Sequence, residues 1–332
     1  MGKLYYGIGQ YEKSLQEFRE VIRFEPEDTA SYRYTTTILV YLNRFSEVRN
    51  ELEEARAKEW RPLDLHLVSY RLAFLQDDAA GMSREIAWAA DTPFAGWFLN
   101  LDAETASYFG KFGKSRELSR RAMQSSKQNG DSEGAWRVVA ERILREVLVG
   151  NIEEGRRAGA AFEDYASSRQ KELALALAFA GETTKPRSFA EETEKKEFRA
   201  TRDLLLTAIQ AQVRLNEKNS AKAVELLASI EPYKLVNRPV AYAIFIRAYA
   251  NLAAPHIDAA KADFQEILDH RGTVGNSLVG ALAHVGLARA CVVQGDTAGA
   301  KRAYEVFLTL WKDADPDIPI LKEAKAEYAK LK

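Results

Sequence analysis

The chain has 332 residues, of which 46% are hydrophobic and 29% charged, and its formal net charge is −1. This balance excludes a disordered chain and argues against a nucleic-acid binder, which needs an excess of basic side chains to neutralise phosphates. Cys291 is the only cysteine, so no disulfide can form within the chain, as is typical of a reducing compartment.

The first residues match the end of a helix rather than its beginning. Gly2 and Tyr5 occupy positions that, in later units, belong to the last turns of the first helix of a pair. We therefore hypothesise that the chain opens within a repeat and is a fragment, or a truncated reading frame, of something longer.

A short pattern then recurs at a nearly fixed interval. In its first copy, Gly9, Ser14, Phe18 and Val21 are separated by five, four and three residues. Similar copies begin at Asn43, Asp77, Gly113, Gly150, Lys218, Pro255 and Gly295. An interval of about 34 residues is the signature of a repeat built from two helices.

Each copy contains the signals of a turn followed by an amphipathic helix. In the first copy, Gly9 suits the turn that ends one helix, since it tolerates positive φ. Tyr11, Leu15 and Phe18 then recur at helical spacing and predict the apolar face of the next helix. Pro26 cannot continue that helix and predicts its end.

The pattern weakens in the middle of the chain. Gly181 fits the turn, but Pro186 falls where the second helix should already be under way. We therefore predict a loop at Thr183–Arg187, with a helix resuming at about Ser188, inside a degenerate repeat. A longer connection is expected around residues 231–239, which contain two further prolines.

The last residues predict a capping helix. Pro316 and Pro319 end the array, and Leu321 and Ala324 begin an apolar face that the last repeat needs for cover. We therefore divide the chain into an N-terminal array (1–169), a degenerate region (170–200), a C-terminal array (201–315) and a capping helix (316–332).

Sequence motifs for catalysis are absent. The chain lacks the P-loop, zinc-protease and nucleophile-elbow patterns, and His284 and Cys291 lie two helical turns apart, too far to share a metal unaided. We predict no catalytic residue, no cofactor and no metal site.

Since no hydrophobic leader or bilayer-length segment occurs, we expect a cytoplasmic protein by default, or an extracytoplasmic one if an anchor precedes Met1.

The residues at Gly9–Pro26 and Gly295–Phe307 resemble the second half of a tetratricopeptide repeat (TPR), and the resemblance extends over about nine tenths of the chain. It implies an all-α, right-handed superhelix of about eight to nine helix pairs. The chain departs from the family pattern because it lacks the usual tryptophan in the first helix. Phe264–Gly272 and Leu310–Ala329 further resemble the C-terminal helical-repeat region of bacterial, acidobacterial-type serine/threonine protein kinases.

The resemblance implies a concave surface lined by the first helix of each pair. Helical spacing predicts ten partner-binding residues there, in which cations and amides hold a peptide and aromatic side chains anchor it. These residues are Arg33, Thr37, Tyr41, Asp64, Arg71, Phe74, Asn100, Ser107, Lys111 and Arg137.

Three functional hypotheses follow from these observations. The first is a non-catalytic scaffold that binds a protein or peptide, as the regulatory or docking part of a bacterial signalling protein. The second is a fragment of a TPR-containing serine/threonine kinase whose catalytic domain is absent from this chain. The third is a self-assembling or secretion-type scaffold. The first two differ in whether kinase motifs precede Met1 in the gene.

Overall fold

The computed structural model describes residues 1–60, 63–160, 170–196, 204–230 and 238–331. Within these ranges the protein is all-α and contains no strand. Its helices form nine consecutive pairs, with a short helix before the last pair and one helix after it. The pairs are α1 (Gly2–Gly7) with α2 (Tyr11–Phe24), α3 (Thr29–Tyr41) with α4 (Phe45–Ala57), α5 (Leu63–Leu75) with α6 (Ala79–Ala89), α7 (Ala95–Tyr108) with α8 (Phe112–Gln128), α9 (Ser132–Leu148) with α10 (Ile152–Ala160), α11 (Gln170–Phe179) with α12 (Thr184–Lys196), α13 (Leu204–Asn216) with α14 (Ser220–Ala228), α15 (Arg238–Ala253) with α16 (Ile257–Asp269), and, after α17 (Arg271–Val274), α18 (Leu278–Gln294) with α19 (Thr297–Leu310), followed by α20 (Pro319–Ala329).

The two helices of a pair are joined by the same tight turn in most units. Asn43 ends α3 with a φ of 57°, and the amide of Arg44 donates to the carbonyl of Leu39 at 2.9 Å. Asp77 repeats this geometry after α5, with a φ of 56°. The pairing of an amide with a carbonyl five residues earlier satisfies helix-end groups that would otherwise lack partners. The turn residues recognised in the sequence at Gly9, Asn43, Asp77, Gly150 and Gly295 all have positive φ.

The fourth unit differs from the sequence prediction. Positive φ occurs at Gly110 rather than at Gly113, which lies in the first turn of α8. The five-four-three spacing counted from Gly110 falls on Ser115, Ser119 and Ala122, all of which are buried. A shift of three residues keeps nearly the same helix face, so the apolar pattern alone did not distinguish the two registers.

The expected loop in the middle of the chain is also wrong. α12 begins at Thr184, so Pro186 lies in its first turn. A proline is tolerated there because the first amides of a helix have no partner within the helix. Phe162 of the fifth copy of the pattern, residues 197–200 of the degenerate region and residues 231–237 of the expected connection lie outside the described residues.

The pairs stack in chain order, which confirms the predicted fold class of an all-α helical solenoid. First helices contact the first helices of the next units, as in α3 with α5, α9 with α11, and α13 with α15. Val48, Ala223 and Phe264 are fully buried between neighbouring helices of the stack. Terminal α20 covers α19 and buries Leu321 and Ala324, as expected of a capping helix.

The C-terminal units also pack against the N-terminal ones, which the sequence analysis did not anticipate. Asn43 bridges to the start of α17, donating to the carbonyl of Asp269 at 3.0 Å and accepting from the amide of Gly272 at 2.8 Å. Asn276 donates to the carbonyl of Leu101 in α7 at 3.0 Å. The described part of the solenoid therefore closes on itself.

A second set of contacts fixes the same closure further along. The Trp311 indole donates to the carbonyl of Tyr108 at 2.9 Å. The Asp315 amide donates to the carbonyl of Gly110 at 3.0 Å, and its carboxylate accepts from the amide of Gly113 at 2.7 Å.

None of the described helices is both long and apolar enough to cross a membrane.

Candidate functional site

The predicted partner-binding residues lie in three places, of which the first is a cluster of side chains on α1, α3 and α5. Tyr6, Tyr34 and Tyr41 cluster there, with the ring of Tyr6 lying 5.3 Å from that of Tyr34 and 6.2 Å from that of Tyr41. Phe18 stacks beneath Tyr34 at 4.6 Å. These rings form a rigid wall, since each is held by at least one other aromatic side chain.

Arg71 of α5 lies beside this wall. Its side chain is half-buried, and no carboxylate pairs with it among the described residues. Burial and the neighbouring Tyr41 raise the pKa of Tyr6 above its ordinary value, while the Arg71 guanidinium opposes that rise. We name Tyr6, Tyr34, Tyr41 and Arg71 together the Tyr–Arg face.

Arg33, Thr37 and Asp64 border the Tyr–Arg face. Arg33 and Asp64 form an ion pair at 3.4 Å, and the Arg33 guanidinium also lies 4.5 Å from the centre of the Tyr34 ring. Thr37 is half-buried on the same helix as Arg33. Two of the predicted ligand-binding charges therefore neutralise one another in this structure.

The second place is the contact between α7 and α9. Asn100 is buried and donates to the Glu141 carboxylate at 2.6 Å, and Arg137 covers the indole of Trp97 at 4.3 Å. Burial raises the pKa of Glu141, and the neighbouring Glu104 raises it further, against the opposing effect of the nearby arginines. This cluster joins two neighbouring units by an internal polar network.

Two further predicted residues, Ser107 and Lys111, lie at the end of α7 and in the turn after it. Ser107 is fully buried, and its hydroxyl donates to the carbonyl of Glu104 in its own helix at 2.7 Å. Lys111 is exposed at the N-cap position of α8, where its side chain makes no capping hydrogen bond. Helical spacing placed Ser107 on the correct helix but could not show that the returning C-terminal units bury that end of α7.

The third place contains Phe74, and it is a pocket where the third and fourth helix pairs meet the last two pairs. We name it the junction pocket. It has a volume of about 350 Å³ and is lined by the ends of α5 and α7 on one side and by α16–α19 on the other. Its lining includes Phe74, Asp77, Tyr108, Phe109, Arg271 and His284.

Sequence reasoning identified only one wall of the junction pocket. Phe74 was predicted as an anchor, whereas the facing residues from α16–α19 lie some 190 or more positions further along the chain. No pattern in the repeat links these positions. The pair Tyr108–Phe109 at the end of α7 was the available signal, because two large aromatic residues at a turn are unusual when nothing covers them.

No arrangement of side chains for metal chemistry occurs in the part of the chain that the structure describes. There, no three His, Cys, Asp or Glu side chains come close enough together to hold an ion. His66 instead bonds to Glu85 at 2.6 Å and stacks on Trp88, which joins α5 to α6. Burial raises the pKa of the Cys291 thiol, so this side chain is a poor nucleophile.

No family profile and no curated protein matches this chain. Among solved structures, it is similar to the crystal structure of the P58(IPK) TPR domain, at 13% sequence identity over 99% of this chain and 96% of that chain, with a TM-score of 0.31. A superposition this loose adds nothing to what the helix pairs themselves show. The resemblance to kinase-associated repeats therefore stays a prediction.

Proposed function

We propose that the protein is a non-catalytic scaffold that binds an acidic segment of a protein partner on its Tyr–Arg face. The observation that carries this proposal is Arg71, a half-buried cation without a carboxylate partner among the described residues. An arginine guanidinium is suited to a carboxylate because its charge-assisted hydrogen bonds are strong and directional. Nucleic acid is not part of this proposal, since the net charge is −1.

The neighbouring tyrosines support the same assignment. Tyr34 and Tyr41 are half-buried, and both rings contact that of Tyr6, whose hydroxyl interacts electrostatically with Arg71. Tyrosine and arginine are the side chains most often found at the energetic centre of protein interfaces. The Arg33–Asp64 ion pair lies at the border of the Tyr–Arg face. Charged groups of a partner can replace either member of this pair, because both a cation and an anion are present there.

A random peptide display library, panned on the full chain, would identify peptides that bind. We expect the selected peptides to be enriched in aspartate or glutamate. Arg71→Gln should weaken the binding of the best peptide by tenfold or more, equivalent to about 1.5–3 kcal/mol of binding free energy. The matched control is Arg49→Gln on α4, an exposed arginine without an ion pair in the described part of the chain.

The proposal fails if the selected peptides carry no acidic preference, or if Arg71→Gln and Arg49→Gln bind them equally well. Unfolding curves for both variants should match the unchanged protein, so that a loss of binding reports the surface rather than the fold. Phe74→Ala is unsuitable as a probe here, because Phe74 is buried and its removal would leave a cavity.

A role in bacterial signalling rests only on the resemblance of Phe264–Gly272 and Leu310–Ala329 to kinase-associated repeats. The domain division into 1–169, 170–200, 201–315 and 316–332 is likewise a proposal. Sequencing upstream of Met1 in the gene tests the first point, because a reading frame carrying kinase motifs would make this chain the docking part of an enzyme.

A further inference from the structure

The junction pocket lies between parts of the chain that are far apart in sequence. One side comes from the ends of α5 and α7 and the other from α16–α19. Its volume of about 350 Å³ falls at the lower end of the range found for small-molecule sites. It is separate from the Tyr–Arg face, so the inference below goes beyond the proposed function.

Three aromatic rings form one wall of the junction pocket. The ring of Phe74 meets that of Tyr108 edge-on, with centres 5.0 Å apart, and Tyr108 meets Phe109 in the same way at 5.2 Å. Ile267 and Leu310 are among the aliphatic side chains on the opposite side. These surroundings favour a flat aromatic or branched aliphatic group.

Two opposite charges line the same pocket without pairing. Arg271 begins α17, and Asp77 occupies the turn after α5. Both side chains are exposed, and neither has an ion-pair partner in the part of the chain that the structure describes. Burial raises the pKa of the Tyr108 hydroxyl, Arg271 opposes this rise and Asp77 adds to it, so both charges lie near the same ring. One ligand packed against Tyr108 therefore lies near both charges.

His284 supplies a third polar group. Its imidazole faces the pocket from α18, and burial together with Arg271 lowers its pKa to about 4. The ring is therefore neutral at physiological pH and has both a donor and an acceptor nitrogen. No described residue hydrogen-bonds with it.

We propose that the junction pocket binds a free amino acid with an aromatic or branched aliphatic side chain. Its carboxylate pairs with Arg271, its ammonium pairs with Asp77, and its side chain packs against Phe74, Tyr108 and Phe109. A simple hydrophobic acid would leave Asp77 without a partner, and a simple amine would leave Arg271 without one. A bound amino acid contacts both the third and fourth helix pairs and α17, and therefore stabilises the closed arrangement.

The test is isothermal titration of the dialysed full chain with phenylalanine, leucine, glycine, 3-phenylpropanoate and phenethylamine. Phenylalanine or leucine should bind and raise the melting temperature. Glycine lacks the apolar side chain, and each of the other two compounds lacks one charge, so all three should bind at least about tenfold more weakly. Absence of any binding by phenylalanine and leucine at about 10 mM would overturn the proposal.

Two substitutions assign the charges. Arg271→Gln should weaken the binding of phenylalanine and of 3-phenylpropanoate by about tenfold or more. The binding of phenethylamine should not change. Asp77→Asn should do the reverse, weakening phenylalanine and phenethylamine only, and asparagine tolerates the positive φ of 56° at this turn. The pocket does not recognise amino acids if 3-phenylpropanoate binds as tightly as phenylalanine and Asp77→Asn leaves the affinity for both compounds unchanged.

A third substitution shows that binding occurs in this pocket. Val306 lines the mouth from α19 and is 48% exposed, so Val306→Trp should block entry without disturbing the core. Val293→Trp is the matched control, because Val293 is also exposed, lies on α18 and does not line the pocket. Phenylalanine binding that survives Val306→Trp would contradict the assignment.

Discussion

Among the charged side chains of this protein, some are buried with partners and others lie nearer the surface without them. Arg247 is 7% exposed and bonds to Asp263 at 2.6 Å. Arg71 and Arg271, in contrast, lie at aromatic surfaces with no carboxylate partner among the described residues. A buried cation needs a partner to offset its desolvation, whereas a cation at a surface is free to bind an external anion.

His284 predicts how stability depends on pH. Its pKa is lowered from 6.5 to about 4 by burial and by Arg271, so the unfolded chain binds the proton more tightly. Stability should therefore be fully present above pH 6.5 and be lost as the pH falls toward 4. The loss from this one group between about pH 8 and pH 5 should be about 2 kcal/mol.

Urea unfolding of the His284→Gln variant at these two pH values measures this contribution. The variant should lose about 2 kcal/mol less than the unchanged protein on acidification. His256→Gln is the control, because His256 is exposed and lies at the start of α16. An equal pH dependence in His284→Gln and the unchanged protein would show that the ring is not held in its neutral form.

At the level of the helix pair, α15 and α16 are joined by a buried polar network. Arg247 on α15 contacts Asp263 on α16 with two of its nitrogens, and Asn251 donates to the same carboxylate at 2.9 Å. The surrounding stack is apolar, so this network defines which faces of the two helices meet. The polar groups of Arg247, Asp263 and Asn251 find their hydrogen-bond partners only when the two helices meet through these faces.

Arg247→Leu should therefore destabilise the protein strongly. The substitution leaves the Asp263 carboxylate buried without its cation, at a cost of about 3–5 kcal/mol in urea unfolding. The control is Arg19→Leu, which removes an exposed ion pair with Glu47 and should cost less than about 1 kcal/mol. Similar costs for the two variants would mean that Asp263 gains water or a new partner when Arg247 is removed.

At the level of the whole molecule, the returning C-terminal units make the solenoid compact. The closest approach is at Gly272, where a Cβ atom would collide with the backbone carbonyl oxygen of Val40 on α3. Only glycine allows α17 to lie against α3 at this distance. The closure therefore depends on a residue that contributes nothing to the repeat pattern.

Gly272→Ala should open or strain this junction. We expect a loss of about 1–3 kcal/mol in urea unfolding, together with a larger radius of gyration in X-ray scattering. Gly113→Ala is the matched control at the same junction, since its Cβ would lie 3.6 Å from the nearest atom, a carboxylate oxygen of Asp315. An unchanged radius and stability in Gly272→Ala would show that the two ends are not held together in solution.

The helix pairs, most of their turns and the capping helix were predictable from the sequence. Asn43 and Asp77 are recognisable because few residues other than glycine tolerate positive φ, and Leu15 and Phe18 because an amphipathic helix repeats its apolar face. Helical spacing also placed Tyr41 and Arg71 together, and both interact with Tyr6, while their part in binding stays a prediction. These features depend on residues within about one repeat of each other.

The register at Gly110, the burial of Ser107 and the junction pocket were decided only by tertiary structure. A choice between Gly110 and Gly113 changes the helix face very little, so packing against neighbouring helices determines it. The meeting of Gly272 with Val40, and of Arg271 with the pocket that Asp77 lines, depends on the rotations added by the helix pairs that lie between them in the chain. Small rotations accumulate along a solenoid, and no short segment of sequence records their sum.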